Sequence, residues 1–94
     1  MAILIHEVWI DPDEHGQRNE GLYLAGPDGD AARAFLSANR RLLTTFLAGS
    51  HLEAMTIYHK YLGREPYVST HEWDKEPYPE DWAERQRVAG FSNI

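Results

Sequence analysis

Leu24-Ala25-Gly26-Pro27-Asp28-Gly29-Asp30 and Leu47-Ala48-Gly49-Ser50-His51-Leu52-Glu53 decide the fold of this chain. Each reads as a strand that ends in Ala-Gly, a tight turn, and the capped start of an amphipathic helix. In the first unit Asp30 is the expected N-cap of a helix over residues 31–41. Ala31, Ala34, Phe35 and Ala38 fall on one side of that helix, and Arg33, Ser37 and Arg40 on the other. In the second unit Ser50 and Glu53 have the spacing of a capping box. The helix they open runs over 51–62, with Lys60 in its last turn and Gly63 at the C′ position. Met55, Tyr58 and Leu62 share its apolar face, and Ile57 lies off the centre of that face.

Working outward, Ile3 to Ile10 form a β-branched and aromatic run expected as a strand, apolar on both alternating faces. Such a strand suits the middle of a layered fold, or one whose second face is covered by a partner. Residues 11–21 read as a polar loop, Leu22–Ala25 as a second strand, and Leu42–Ala48 as a third. Tyr67–Thr70 is a candidate fourth strand at an edge. The run Pro79–Arg87 suits a short last helix, with proline first, acids early and arginines late. Residues 89–94 are expected to fray.

The fold class these elements predict is α+β, or a small α/β fold. It has a three- to four-stranded sheet with two main helices packed on it, plus a C-terminal aromatic tail and short helix. The chain reads as a single domain, with a core over about 1–64 and an acidic, aromatic wrapping tail over 65–94 whose helix lies near 79–88. If the second and third strands run in the same direction, both Ala-Gly ends lie at one edge of the sheet, where ligands of open α/β sheets bind. An antiparallel α+β arrangement is the other possibility.

Charge is distributed unevenly. Of the net −6, residues 65–84 carry all six, with seven carboxylates against Lys75. Arg33, Arg40 and Arg41 are the one basic cluster, read as an exposed helix face. An acidic chain without a basic stripe argues against nucleic-acid partners. No apolar run approaches the roughly 18 residues of a membrane span, and the N-terminus lacks the basic start of a signal peptide. The expected setting is cytoplasmic. With no cysteine, disulfides and thiolate chemistry are excluded.

Among candidate chemical groups, His51 beside Glu53 at a helix start could act as general acid or base, with Tyr58 as a further candidate on the same helix. Against that, His51 falls on the core side of the wheel and Glu53 is accounted for by the capping box. The turn Gly26–Asp30 resembles a phosphate loop only in its glycines, and its two aspartates would repel an anion. Five histidines, His6, His15, His51, His59 and His71, show no chelating spacing. No metal or cofactor is expected. Ser50 and His51 are adjacent and do not face each other on a helix.

The strings Leu-Ala-Gly-Pro-Asp-Gly-Asp-Ala-Ala-Arg (24–33), Ser-His-Leu-Glu-Ala-Met-Thr-x-Tyr (50–58) and Glu-Pro-Tyr-Pro-Glu-Asp-Trp (76–82) resemble a group of small bacterial proteins without assigned activity. The resemblance spans about residues 21–82. It implies a bacterial cytosolic protein and brings no catalytic residues with it.

The tail has two compatible readings: a lid over the core, or a contact surface for a basic protein partner through Trp73, Asp74, Tyr78 and Trp82. The expected function is a non-enzymatic protein-interaction module, acting as a homodimer. The alternative is a small enzyme or ligand-binding domain with a pocket at the strand ends, near His51 and Tyr58. A pocket there, with His51 both reaching solvent and holding a perturbed pKa, favours the alternative; a buried His51 bonded to backbone favours the module.

Overall fold

The computed structural model describes residues 2–12 and 15–91. Three strands, β1 (Leu4–Pro12), β2 (Arg18–Leu24) and β3 (Arg41–Ala48), form one sheet in the order β2-β1-β3. Both outer strands are antiparallel to β1, so β2 and β3 run in the same direction on either side of it. Both Ala-Gly ends therefore do share one edge of the sheet, separated by the start of β1. The class is α+β, with three helices among the described residues: α1 (Pro27–Arg33), α2 (His51–Leu62) and α3 (Glu80–Val88), plus a 3₁₀ turn at Glu72–Lys75.

The register explains why β1 is apolar on both faces. Leu4, His6, Val8 and Ile10 lie on the face that also holds Leu24, Leu22, Phe46 and Ala48. All four are buried, with Ala54 and Tyr58 of α2. Ile5, Glu7 and Trp9 lie on the opposite face. There Glu7 is buried, accepting hydrogen bonds from Trp9 Nε1 (3.1 Å) and from Arg33 (3.2 Å).

α2 follows its local signals. Ser50 Oγ accepts from Glu53 N at 3.1 Å, Glu53 Oε1 accepts from Gly49 N at 2.8 Å, and Gly63 ends the helix with a left-handed backbone.

α1 departs from expectation. It begins at Pro27, is preceded by Gly26 at φ 81°, and stops at Arg33, so Asp30 is not its cap. Tertiary hydrogen bonds override the alanine periodicity. The Arg33 guanidinium turns back to the carbonyls of Leu24 and Gly26 and to Asp30 and Glu7. Gly29 permits this approach, since a Cβ there would sit 1.9 Å from Leu24 O. Phe35, expected on an apolar face, is 89% exposed. Arg33 is half-buried, Arg40 and Arg41 lie beyond the helix, and Arg40 stands 6.0 Å over the Trp9 ring. The three arginines do not form a common helix face.

Three further expectations are revised. The polar loop is shorter than 11–21, because β1 and β2 extend as a hairpin to the pair Pro12↔Arg18. Tyr67–Thr70 is not a strand, because Tyr67 and Ser69 direct their hydroxyls to Asp74. Of the end expected to fray, Ser92–Ile94 lie outside the described residues, while Phe91 N is tied to Gln86 O at 2.9 Å.

The C-terminal segment enters the sheet where the strands diverge. On the β2 side, Gln86 accepts from Ile5 N and donates to the carbonyls of Ile5 and Ala25, all within 3.0 Å. On the β3 side, Pro77 and Tyr78 bridge Ser50 and Ala2, and Tyr78 N donates to Gly49 O at 3.0 Å. Gln86 lies in α3, and its buried side-chain amide takes the place of the strand backbone missing there. Replacing it with leucine leaves buried polar backbone unpaired, so Gln86→Leu is expected to lower stability by about 2–4 kcal/mol in urea denaturation.

Candidate functional site

The N-terminus of α2 and the tail enclose a cleft of about 310 Å³ at the β3 end of this edge. It is lined by His51, Trp73, Glu76, Pro77, Tyr78, Pro79 and Trp82. Three expected partner-surface residues, Trp73, Tyr78 and Trp82, line it, and so does His51. Tyr78 and Trp82 stack at 5.7 Å between centroids, and Trp73 lies 5.4 Å from the His51 ring and stacks on His71 at 5.3 Å.

Asp74, the fourth of those residues, is not on the surface. It is fully buried behind the cleft. Its Oδ2 accepts from Tyr67 Oη and Ser69 Oγ, each at 2.8 Å. Its Oδ1 has no hydrogen-bond partner among the described residues and lies 4.0 Å from His51 Nε2. Burial opposes ionisation of Asp74, but the two hydroxyl donors and the nearby His51 and His71 rings outweigh it and hold the carboxyl below its ordinary range. The bond to Asp74 in turn pushes the Tyr67 hydroxyl up.

His51 is therefore neither buried nor bonded to backbone. Its side chain is 39% exposed and borders the cleft. Glu53 and Tyr58 do not join it there. Glu53 is spent on the Gly49 amide, and Tyr58 is buried beneath α2, its hydroxyl pushed up chiefly by burial. Ser50 Oγ is occupied as the cap.

His6, which carried no functional expectation, supports the cleft from below. Its Nδ1 faces Leu4 O at 3.1 Å, an acceptor, so Nδ1 carries the proton and Nε2 accepts from Tyr78 Oη at 2.9 Å. The ring stacks flat on Phe46, 5.2 Å between centroids. Burial pushes His6 down to about 4, and burial with the Glu53 carboxylate pushes the Tyr78 hydroxyl up to about 12. Both groups are neutral near pH 7, and Tyr78 is locked with its hydroxyl toward His6. The signal was in the sequence: His6 alternates with Leu4 and Val8.

Among the described residues no group of three or more His, Asp or Glu is placed to hold a metal ion, and no helix is long and apolar enough to cross a membrane. The first helical turn near Gly26–Asp30 is closed by ion pairs instead of an anion: Asp28 with Arg85 at 3.0 Å, Asp30 with Arg33. Comparison with protein-family models, curated proteins and solved structures finds no match to this chain.

His6 makes stability depend on pH. The unfolded chain takes up this proton near 6.5 and the folded chain only near 4, so stability falls as pH drops through that window. The loss from this group is expected to reach about 3 kcal/mol. Urea denaturation between pH 7 and 4 checks it, and a His6→Gln variant should show a much flatter dependence.

Proposed function

We propose that this chain is an acidic cytosolic protein-interaction module whose cleft receives a cationic side chain of a partner. The observation that carries this reading is the lining itself. Trp73, Tyr78 and Trp82 line the cleft together with the acidic residue Glu76, in the segment that holds all of the chain's net charge. Aromatic faces and a carboxylate attract ammonium and guanidinium groups, each aromatic contact contributing about 0.5–2 kcal/mol. Prolines 77 and 79 fix the backbone between the rings, which lowers the ordering cost of binding. The surrounding acids add long-range attraction for a basic partner.

A second reading has one observation in its favour. Asp74 Oδ1, buried and unpaired, faces an imidazole that opens to solvent, an arrangement suited to general acid–base catalysis. That reading requires hydrolysis of simple esters or amides that is lost in a folded His51→Ala variant.

The binding reading is tested by titrating the protein with choline and with its uncharged isostere 3,3-dimethylbutan-1-ol, followed by tryptophan fluorescence and amide chemical shifts. Choline is expected to bind with a Kd of about 1–10 mM and to shift residues 73–82. Trp73→Ala and Glu76→Gln, both at exposed positions, should each weaken it severalfold. Equal binding of the neutral isostere would contradict the proposal.

A further inference from the structure

Asp74 Oδ1 is the one buried side-chain acceptor left without a hydrogen-bond partner among the described residues, and it faces His51 Nε2 at 4.0 Å. A buried polar atom of this kind ordinarily finds a partner. Asp74 cannot turn to seek one elsewhere, because the Tyr67 and Ser69 hydroxyls hold its Oδ2. His51 can move. Its side chain is 39% exposed, and neither ring nitrogen has a hydrogen-bond partner among the described residues. A shift of about 1 Å brings Nε2 within hydrogen-bond range of Oδ1.

That contact decides which nitrogen carries the proton. An ionised carboxylate only accepts, so a neutral imidazole must offer it Nε2–H, which leaves Nδ1 a bare acceptor. Nδ1 lies on the opposite side of the ring from Nε2. Asp74 stands behind the cleft and His51 lines it. The other neighbours of the His51 ring are Trp73 and Tyr67, which meet it with their rings at 5.4 and 6.2 Å between centroids. Glu53, two residues on, is spent on the Gly49 amide.

We infer that Asp74 sets His51 as a hydrogen-bond acceptor at the cleft, and that the cationic group the cleft selects is the guanidinium of a partner's arginine. The inference rests on the cation-binding reading and adds which cation the cleft prefers. A guanidinium lies flat on an aromatic ring and donates hydrogen bonds from its rim. One group therefore meets the rings of Trp73, Tyr78 and Trp82 and the lone pair of Nδ1 together. An ammonium is more strongly hydrated and brings three divergent donors to one acceptor. A quaternary cation has no N–H to donate.

Two measurements at about pH 8, where an ordinary histidine is neutral, test the inference. Ring-nitrogen chemical shifts of the isotope-labelled full chain report the His51 tautomer. Titrations with ethylguanidinium, butylammonium and choline report the preference. The shifts are expected to place the proton on Nε2 and none on Nδ1. Ethylguanidinium is expected to bind about tenfold more tightly than choline, and more tightly than butylammonium. In Asp74→Asn, folded by circular dichroism, the amide keeps its oxygen toward the Tyr67 hydroxyl, whose proton has no other acceptor among the described residues. Its NH₂ then faces Nε2, the ring proton moves to Nδ1, and the preference for ethylguanidinium over choline disappears. The lost carboxylate charge weakens every cation alike, so the ratio reports on His51. A proton on Nδ1 in the unaltered chain overturns the inference. So does choline or butylammonium binding as tightly as ethylguanidinium, or a preference that Asp74→Asn leaves intact; these results leave the cation reading standing. Binding of none of the three cations overturns both.

Discussion

The structure depends on how the open end of the sheet is filled. β2 and β3 both leave β1 at its first residues, and the backbone they abandon must find other partners or be exposed to an apolar interior. The chain solves this from its own C-terminal segment. Gln86 supplies an amide group where β2 ends, and Pro77–Tyr78 supplies a piece of backbone where β3 ends. The edge at which an open sheet would admit a ligand is thus closed by the tail, and the cleft lies between the tail and α2 instead of between strands.

That closure orders the rest of the site. Tyr78 is held by its backbone on Gly49 and by its hydroxyl on His6, so its ring is fixed beside Trp82. The 3₁₀ turn places Trp73 at the rim and Asp74 behind it, the carboxylate secured by Tyr67 and Ser69. α3 is tied to α1 through Arg85 and Asp28. A buried carboxylate and a neutral buried histidine are costly features. Here both serve to position aromatic rings that would otherwise move independently.

The legible parts of the fold were those decided within a few residues. α2 has the expected bounds, because Ser50, Glu53 and Gly63 satisfy its ends locally. β1 and β3 follow from β-branched and aromatic runs, whereas β2, with no β-branched residue, was legible only in its last residues, Leu22–Leu24. The common edge of the Ala-Gly ends was only conditional in the sequence, and it is β1, antiparallel to both neighbours, that gives β2 and β3 the same direction. α1 was misread because alanine spacing describes a helix face only if something packs on it, and Arg33's bonds to strand carbonyls end the helix first. Asp74 was read as a surface contact for a basic partner, yet it is fully buried. Its burial depends on hydroxyls at Tyr67 and Ser69, residues that also resemble a strand. Gln86 had no local signal at all, since its partners lie 81 and 61 residues away.

Amide hydrogen exchange at Ile5 and Tyr78 tests this account most directly. Each N–H is protected only through the tail, by Gln86 and by Gly49 O facing Tyr78. The account predicts that both exchange as slowly as the central amides of β1, opening only with global unfolding. Exchange at these two sites orders of magnitude faster than at Val8 would show a tail that detaches while the sheet persists, and would contradict it.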